Sequence, residues 1–177
     1  MKILLHTCCA PCIIYPLQVL KGKGANITGF FYNPNIYPQE EYLRRREALE
    51  IYNQDKAAEI IYPEYRPEEY TEATRGKEGK ERCLSCWNLR LKRTAQEAKA
   101  GQFEYFSTTL LVSPHQDHEA LKKIGEDIAS QEQLKFYYED FRVGYRAAHD
   151  EAKQKNIYCQ KYCGCIHSEA LSHKKHR

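Results

Sequence analysis

No stretch of this chain approaches the roughly 18 consecutive apolar residues of a membrane span. The run Met1-Lys2-Ile3-Leu4-Leu5-His6 reaches Cys8 without the apolar segment of a secretory signal, so a cytoplasmic protein without membrane contact is expected. Charge of one sign is also scarce. Lys and Arg number 27 against 24 Asp and Glu, a net +3 over 177 residues, well short of the basic excess that by itself announces nucleic-acid binding. Any such contact must be local. Internal repeats, linkers and low-complexity tracts are missing too, and 42% apolar residues suffice for one substantial core, so a single α/β unit over 1–177 is expected.

Cysteine is what the chain has in plenty. Its eight cysteines fall into separated groups, Cys8/Cys9/Cys12, Cys83/Cys86 and Cys159/Cys163/Cys165. In a reducing cytosol, structural disulfides are disfavoured, so metal binding or thiol redox chemistry is the expected use.

The chain alternates strand and helix signals. Strands are expected at 2–6, 26–32, about 58–62, 103–106 and 134–138. Helices are expected at 13–21, about 38–54, about 83–100 ending at Gly101, one capped by Asp117, and about 144–155. That rhythm predicts a parallel five-stranded sheet with helices on both faces. Ligands of such sheets bind beyond the carboxyl ends of the strands, where the loop Thr7-Cys8-Cys9-Ala10-Pro11-Cys12 falls. The loop has no glycine, and its proline removes a donor, which argues against a phosphate-binding role.

Cys83 and Cys86, expected on a first helical turn, face the same side there, and a helix N-terminus favours thiolates. Two such loops make a four-thiolate site suited by ligand type to either Zn²⁺ or an iron–sulfur cluster. The adjacent pair Cys8-Cys9 sits awkwardly around one small ion and more easily around a larger cluster. Cys163-Gly164-Cys165 is readable as a strained redox disulfide or as ligands of a second metal, for which Cys12 is a further candidate. Cys159 reads as a packed thiol. His6, His115, Asp117 and His118 are candidate proton donors, although each is more often structural and Asp117 is most simply a helix cap. Arg75, Lys77, Lys80, Arg82, Arg90, Lys92, Arg93, Lys174, Lys175 and Arg177 form local basic clusters, and tyrosines or Trp87 offer stacking surfaces, but charge runs are usually solvated faces.

Several ordered stretches together resemble the cobalamin-independent epoxyqueuosine reductases, the QueH family. They are His6-Thr7-Cys8-Cys9-Ala10-Pro11-Cys12, Asn33-Pro34-Asn35-Ile36 with Glu41-Tyr42, Arg82-Cys83-Leu84-Ser85-Cys86 with Arg90-Leu91, Ser107-Thr108-Thr109-Leu110 with Ser113-Pro114, Asp140-Phe141-Arg142, and Gln160-Lys161-Tyr162-Cys163-Gly164-Cys165. The resemblance implies an adenine-nucleotide α-hydrolase-like core and an enzyme that removes the epoxide oxygen of epoxyqueuosine at the tRNA wobble position, the last step of queuosine synthesis. It implies a [4Fe-4S] cluster on Cys8, Cys9, Cys83 and Cys86, a redox-active pair at Cys163 and Cys165, no cobalamin, an external electron donor, and room for an additional iron or other divalent metal near Cys12. The rival readings are a zinc-stabilised tRNA-binding module and an ATP-dependent tRNA sulfur-transfer enzyme.

Overall fold

Strand β1 (Lys2–His6) lies at the centre of the molecule because Ile3, Leu4 and Leu5 are all fully buried. A strand apolar on both faces belongs inside a sheet covered on both sides. In the computed structural model, which describes residues 1–54 and 58–168, β1 pairs in parallel with β2 (Asn26–Phe30) on one side and β4 (Tyr105–Thr108) on the other. β3 (Glu59–Ile61) and β5 (Lys135–Phe136) extend the edges, giving the all-parallel order β3-β2-β1-β4-β5. Helices α1 (Ala10–Gly22), α2 (Gln39–Asn53) and α6 (Tyr145–Gln154) cover one face. The long α4 (Gly79–Ala100) and α5 (His118–Glu132) cover the other, and the short α3 (Pro67–Ala73) leans on α4.

The chain winds outward from β1 in one direction and from β4 in the other, so the crevice between their carboxyl ends is the switch point where ligands of such sheets bind. Local chemistry fixes both lips of the crevice. Thr7 N–H donates to the Phe30 carbonyl at 2.9 Å and Asn33 Nδ2 to the Thr7 carbonyl at 2.9 Å, which ties the loop after β1 to the end of β2. After β4 the chain turns into a 3-10 turn at Thr109–Val112, capped by Thr108 Oγ1, which accepts from the Leu110 N–H at 3.1 Å.

The expected elements are present, with shifted edges. Asp117 caps α5 as its sequence position predicted, its carboxylate accepting from the Ala120 N–H at 3.1 Å. β4 begins at Tyr105 rather than at 103. Helix α4 begins at Gly79, a full turn before the expected start at 83. Its first residues, Gly79-Lys80-Glu81-Arg82, carry no apolar side chain, so hydrophobic periodicity could not register them. Cys83 and Cys86 therefore lie past the first turn, where the helix dipole has largely faded.

Candidate metal centre

The loop between β1 and α1 delivers three thiols to one point. Cys9 is the N-cap residue of α1 and Cys12 lies on its first turn, so both sulfurs return toward Cys8. The three sulfurs all lie within 4.8 Å of one another, with Cys8 and Cys9 Sγ 3.7 Å apart. Thr109, across the crevice, holds Cys8 twice. Its hydroxyl accepts from the Cys8 N–H at 3.1 Å and donates to the Cys8 sulfur at 3.4 Å. Gln160 Nε2 reaches Cys9 Sγ at 3.0 Å and Cys12 Sγ at 3.7 Å.

This arrangement sets the three thiols apart in acidity. Hydrogen bonds from Cys12 and Cys9, with Thr109 adding another, hold Cys8 well below the usual thiol range against the opposing effect of burial. Burial keeps Cys9 high, and donation to Cys8 keeps Cys12 high.

Two cavities open onto the crevice. One, of about 300 Å³, is lined by Cys8, Cys12, Thr109, Tyr145, His149 and Gln160, among others. The second, of about 390 Å³, is lined by Cys83, Cys86, Cys165, Tyr70, Trp87 and Asn35, among others. They adjoin, because Arg90, His115, Gln116 and Cys163 line both. The structure thus gathers Cys8, Cys9 and Cys12 tightly, and sets Cys83, Cys86, Cys163 and Cys165 around a neighbouring space. Cys159 lines neither cavity, and its thiol donates to the Ile157 carbonyl at 3.5 Å beside the core.

The segment carrying Cys163 and Cys165 is clamped from α2. Arg45, 2% exposed, pairs through Nε with Glu41 at 2.7 Å and donates through Nη1 and Nη2 to the carbonyls of Cys163 and Tyr162 at 3.2 and 3.0 Å. Tyr158 donates to the same Glu41 at 2.7 Å, and the Tyr37 N–H donates to the Gly164 carbonyl at 2.8 Å. Gly164 stands at φ +127°, where a Cβ would come within 3.1 Å of Ile36, 3.2 Å of Arg45 Nη1 and 3.3 Å of Asn35 Nδ2. Only glycine passes there without displacing the clamp.

The two thiols of this segment differ. Burial raises Cys165, but its hydrogen bonding with Ser168, Tyr70 and the backbone outweighs it and holds the thiol below its ordinary value. Cys163 opens to solvent yet is walled by protein, and that desolvation pushes it up. Cys86 is pushed up to about 11 by burial, with Arg90 opposing. The expected lowering of Cys86 by a helix N-terminus is therefore corrected: past the first turn, the positive charge acting on Cys86 comes from the Arg90 side chain.

Of the proposed proton donors, His115 alone lines both cavities. Asp117 lines the second but is engaged as the α5 cap and in an ion pair with Lys80 at 2.9 Å. His6 is fully buried, bonded to Thr108 Oγ1 at 2.9 Å and to the Tyr32 carbonyl at 3.1 Å, and His118 binds the Ser113 carbonyl at 3.1 Å. Both are structural. Sequence reasoning passed over Arg45, Tyr70, Tyr145 and His149, which carry no signal until the chain folds, while Thr109 and Gln160 entered it only as parts of the family-like stretches, without a role at the sulfurs. It also grouped Arg90 with the local basic clusters, whereas at 1% exposed it has no surface to offer a nucleic acid. Trp87 is likewise buried, with only an edge on the second cavity. Lys174, Lys175 and Arg177 lie outside the described residues.

The family model described as Epoxyqueuosine reductase QueH matches residues 3–171. Proteins named epoxyqueuosine reductase QueH are similar over most of their length. That of Thermotoga maritima is 38% identical, covering 98% of this chain and 93% of the relative. The protein from Dehalococcoides mccartyi is 36% identical, with 95% and 92% covered, and that of Streptococcus pyogenes serotype M1 is 35% identical, with 96% and 71%. Among solved structures, a predicted subunit of tRNA methyltransferase from Methanocaldococcus jannaschii superposes with a TM-score of 0.56 at 10% identity, covering 86% of this chain and 76% of that one, which shows a shared fold.

Proposed function

The chain belongs to the epoxyqueuosine reductase QueH family, and from that premise we propose that it removes the epoxide oxygen of epoxyqueuosine in tRNA, acting as an oxidoreductase with a sulfur-ligated iron centre. The observation that carries this reading is the convergence of sulfur donors from three distant segments on adjoining cavities at the sheet's switch point. An all-sulfur donor set suits iron–sulfur or zinc chemistry and excludes hard cations that demand oxygen.

We assign Cys8, Cys9, Cys83 and Cys86 as ligands of a [4Fe-4S] cluster. Supporting this, Cys8, with Cys9 Sγ 3.7 Å from its sulfur, lines one of two neighbouring spaces and Cys83 and Cys86 line the other, which suits a group larger than a single ion. Cys12, within 4.8 Å of the Cys8 and Cys9 sulfurs, is assigned to an additional iron or other divalent metal. When bound, such a cluster supplies electrons singly.

Removing the epoxide oxygen as water takes two electrons and two protons. Oxidation of the Cys163/Cys165 dithiol to a disulfide supplies both pairs, and an external donor must then reduce the disulfide. Cys165, the thiol held low, is the better nucleophile of the two. His115 and His149, both lining the first cavity, are the histidines placed to relay protons to the departing oxygen.

A tRNA partner finds support in a groove of about 780 Å³ running beside α4. Leu84, Leu89 and Ile124 line it, with Lys77, Lys92, Arg93 and Lys123 also on its walls. No helix among the described residues is long and apolar enough to cross a membrane, and we place the enzyme in the cytoplasm with its tRNA substrate.

The test is anaerobic incubation of the iron-reconstituted protein with epoxyqueuosine-tRNA and a chemical reductant. Mass spectrometry should find nucleoside lighter by one oxygen. The C83A variant is expected to lose iron and activity together, and normal iron content in C83A would defeat the ligand assignment.

A further inference from the structure

Among the described residues two arginines, Arg45 and Arg90, are almost completely buried, and their surroundings differ. Arg45 has a carboxylate at 2.7 Å and two carbonyls, so its charge and its donors are both matched. Arg90 has neither kind of match. Its Nε reaches only the Cys86 carbonyl, at a long 3.4 Å, and its Nη2 is buried with no hydrogen-bond partner among the described residues. No carboxylate lies within ion-pairing distance of it among those residues. Asp117, the acid on the second cavity's wall, is taken by Lys80 and by the α5 backbone.

A guanidinium does not shed its proton to escape such a place. Leaving a buried charge uncompensated costs several kcal/mol, so the folded protein requires an anion beside Arg90. The side chain sits on the wall common to both cavities, with His115, Gln116 and Cys163, and the acidic groups whose charge acts on it there are thiols: Cys86, Cys163, Cys8 and Cys165.

We infer that Arg90 is the built-in counter-charge for an anionic sulfur group held where the two cavities meet. It acts through that group as a positioning residue: a fixed positive charge stabilises the more negative, reduced state of a sulfur-ligated centre and so raises its potential. That the anion is ligated iron rests on the reading above. That sulfur donors line the wall around Arg90 does not.

The experiment compares wild type with R90K, which keeps the charge, and with R90Q and R90M, which remove it. After anaerobic reconstitution with iron and sulfide, the neutral variants should titrate at more negative potentials than wild type, with R90K close to wild type. Equal potentials in all four proteins would overturn the inference. The metal-free proteins supply an independent measure. Iodoacetamide at fixed pH, read cysteine by cysteine by mass spectrometry, should modify Cys86 and Cys163 several-fold more slowly in R90Q and R90M than in wild type or R90K. Unchanged rates would again overturn it. If wild type takes up no iron, the cofactor reading fails and the alkylation comparison alone decides the role of Arg90. Folding of R90K with misfolding of both neutral variants would count for the charge, since all three lose the same guanidinium fork.

Discussion

Single side chains at the crevice show how burial separates chemically identical groups. Cys163 is the more solvent-accessible member of its pair, yet desolvation by the cavity wall raises it, while Ser168, whose Oγ lies 3.4 Å from Cys165 Sγ, and Tyr70 lower Cys165. Exposure and acidity therefore predict opposite orders of reaction. Because the thiolate is the nucleophile, iodoacetamide at pH 7.5 should label Cys165 of the metal-free protein ahead of Cys163, as peptide mass spectrometry would show. His6 makes a second residue-scale prediction. Burial, with Arg90 nearby, lowers it from 6.5 to about 4. Above pH 6.5 the imidazole is neutral in both folded and unfolded chains. Between 6.5 and about 4 the unfolded chain takes up a proton that the folded one refuses, so stability falls with pH across this window, by at most about 3 kcal/mol. Urea unfolding of the metal-free protein at pH 7.5 and 4.5 should show this loss, and H6N should show less of it.

Between elements, the clamp from α2 to the Cys163 segment is held by one buried pair. Glu41 and Arg45 stand at i and i+4 on α2, both about nine-tenths or more buried, and together reach Tyr158, Tyr162 and Cys163. E41Q leaves Arg45 charged and unmatched, so it should destabilise the fold by about 3–5 kcal/mol in a denaturant titration. The double variant E41L/R45M removes both charges and should recover much of that stability while leaving the Tyr162 and Cys163 carbonyls unheld. Recovered stability with slow turnover would identify the pair as positioning the dithiol, and full activity in the double variant would show the clamp to be dispensable. The pair also shows why much of the site was illegible in the sequence. Arg90 read as one of a basic cluster and Arg45 drew no reading, because arginine is usually a surface charge, and only partners distant along the chain reveal otherwise. Helix α4 was legible from Cys83 onward, where apolar residues recur, and illegible over Gly79–Arg82, where none do. The β1 strand, the cysteine loop after it and the Asp117 cap were legible because each is written in a few consecutive residues.

Across the whole molecule, α4 has two working sides. Cys83, Cys86 and Arg90 face the cavities at the crevice, while Leu84, Ser85, Asn88, Lys92 and Arg93 line the groove between α4, α3 and α5. A wobble nucleotide drawn out of an anticodon loop toward the sulfurs would leave its neighbours beside the same helix, where an apolar floor suits bases and the basic residues suit phosphates. The groove's charges are unequal in availability: Lys123 is tied to Asp127 at 3.3 Å and Lys77 to Ser85 at 2.7 Å, whereas Lys92 makes no ion pair among the described residues and Arg93 makes only a long one to Glu97 at 3.5 Å. Reversing Lys92 and Arg93 should therefore weaken tRNA binding at least tenfold at physiological salt. It should also flatten the dependence of log Kd on log salt by about 0.7–0.9 for each phosphate that is no longer neutralised. Both side chains are exposed on the flank away from Arg90, so iron content and potential should be unchanged in K92E/R93E. Filter binding of tRNA over a salt series checks the first expectation, and the visible spectrum of the reconstituted protein checks the second. Unaltered affinity and slope would move the RNA path off this side of α4.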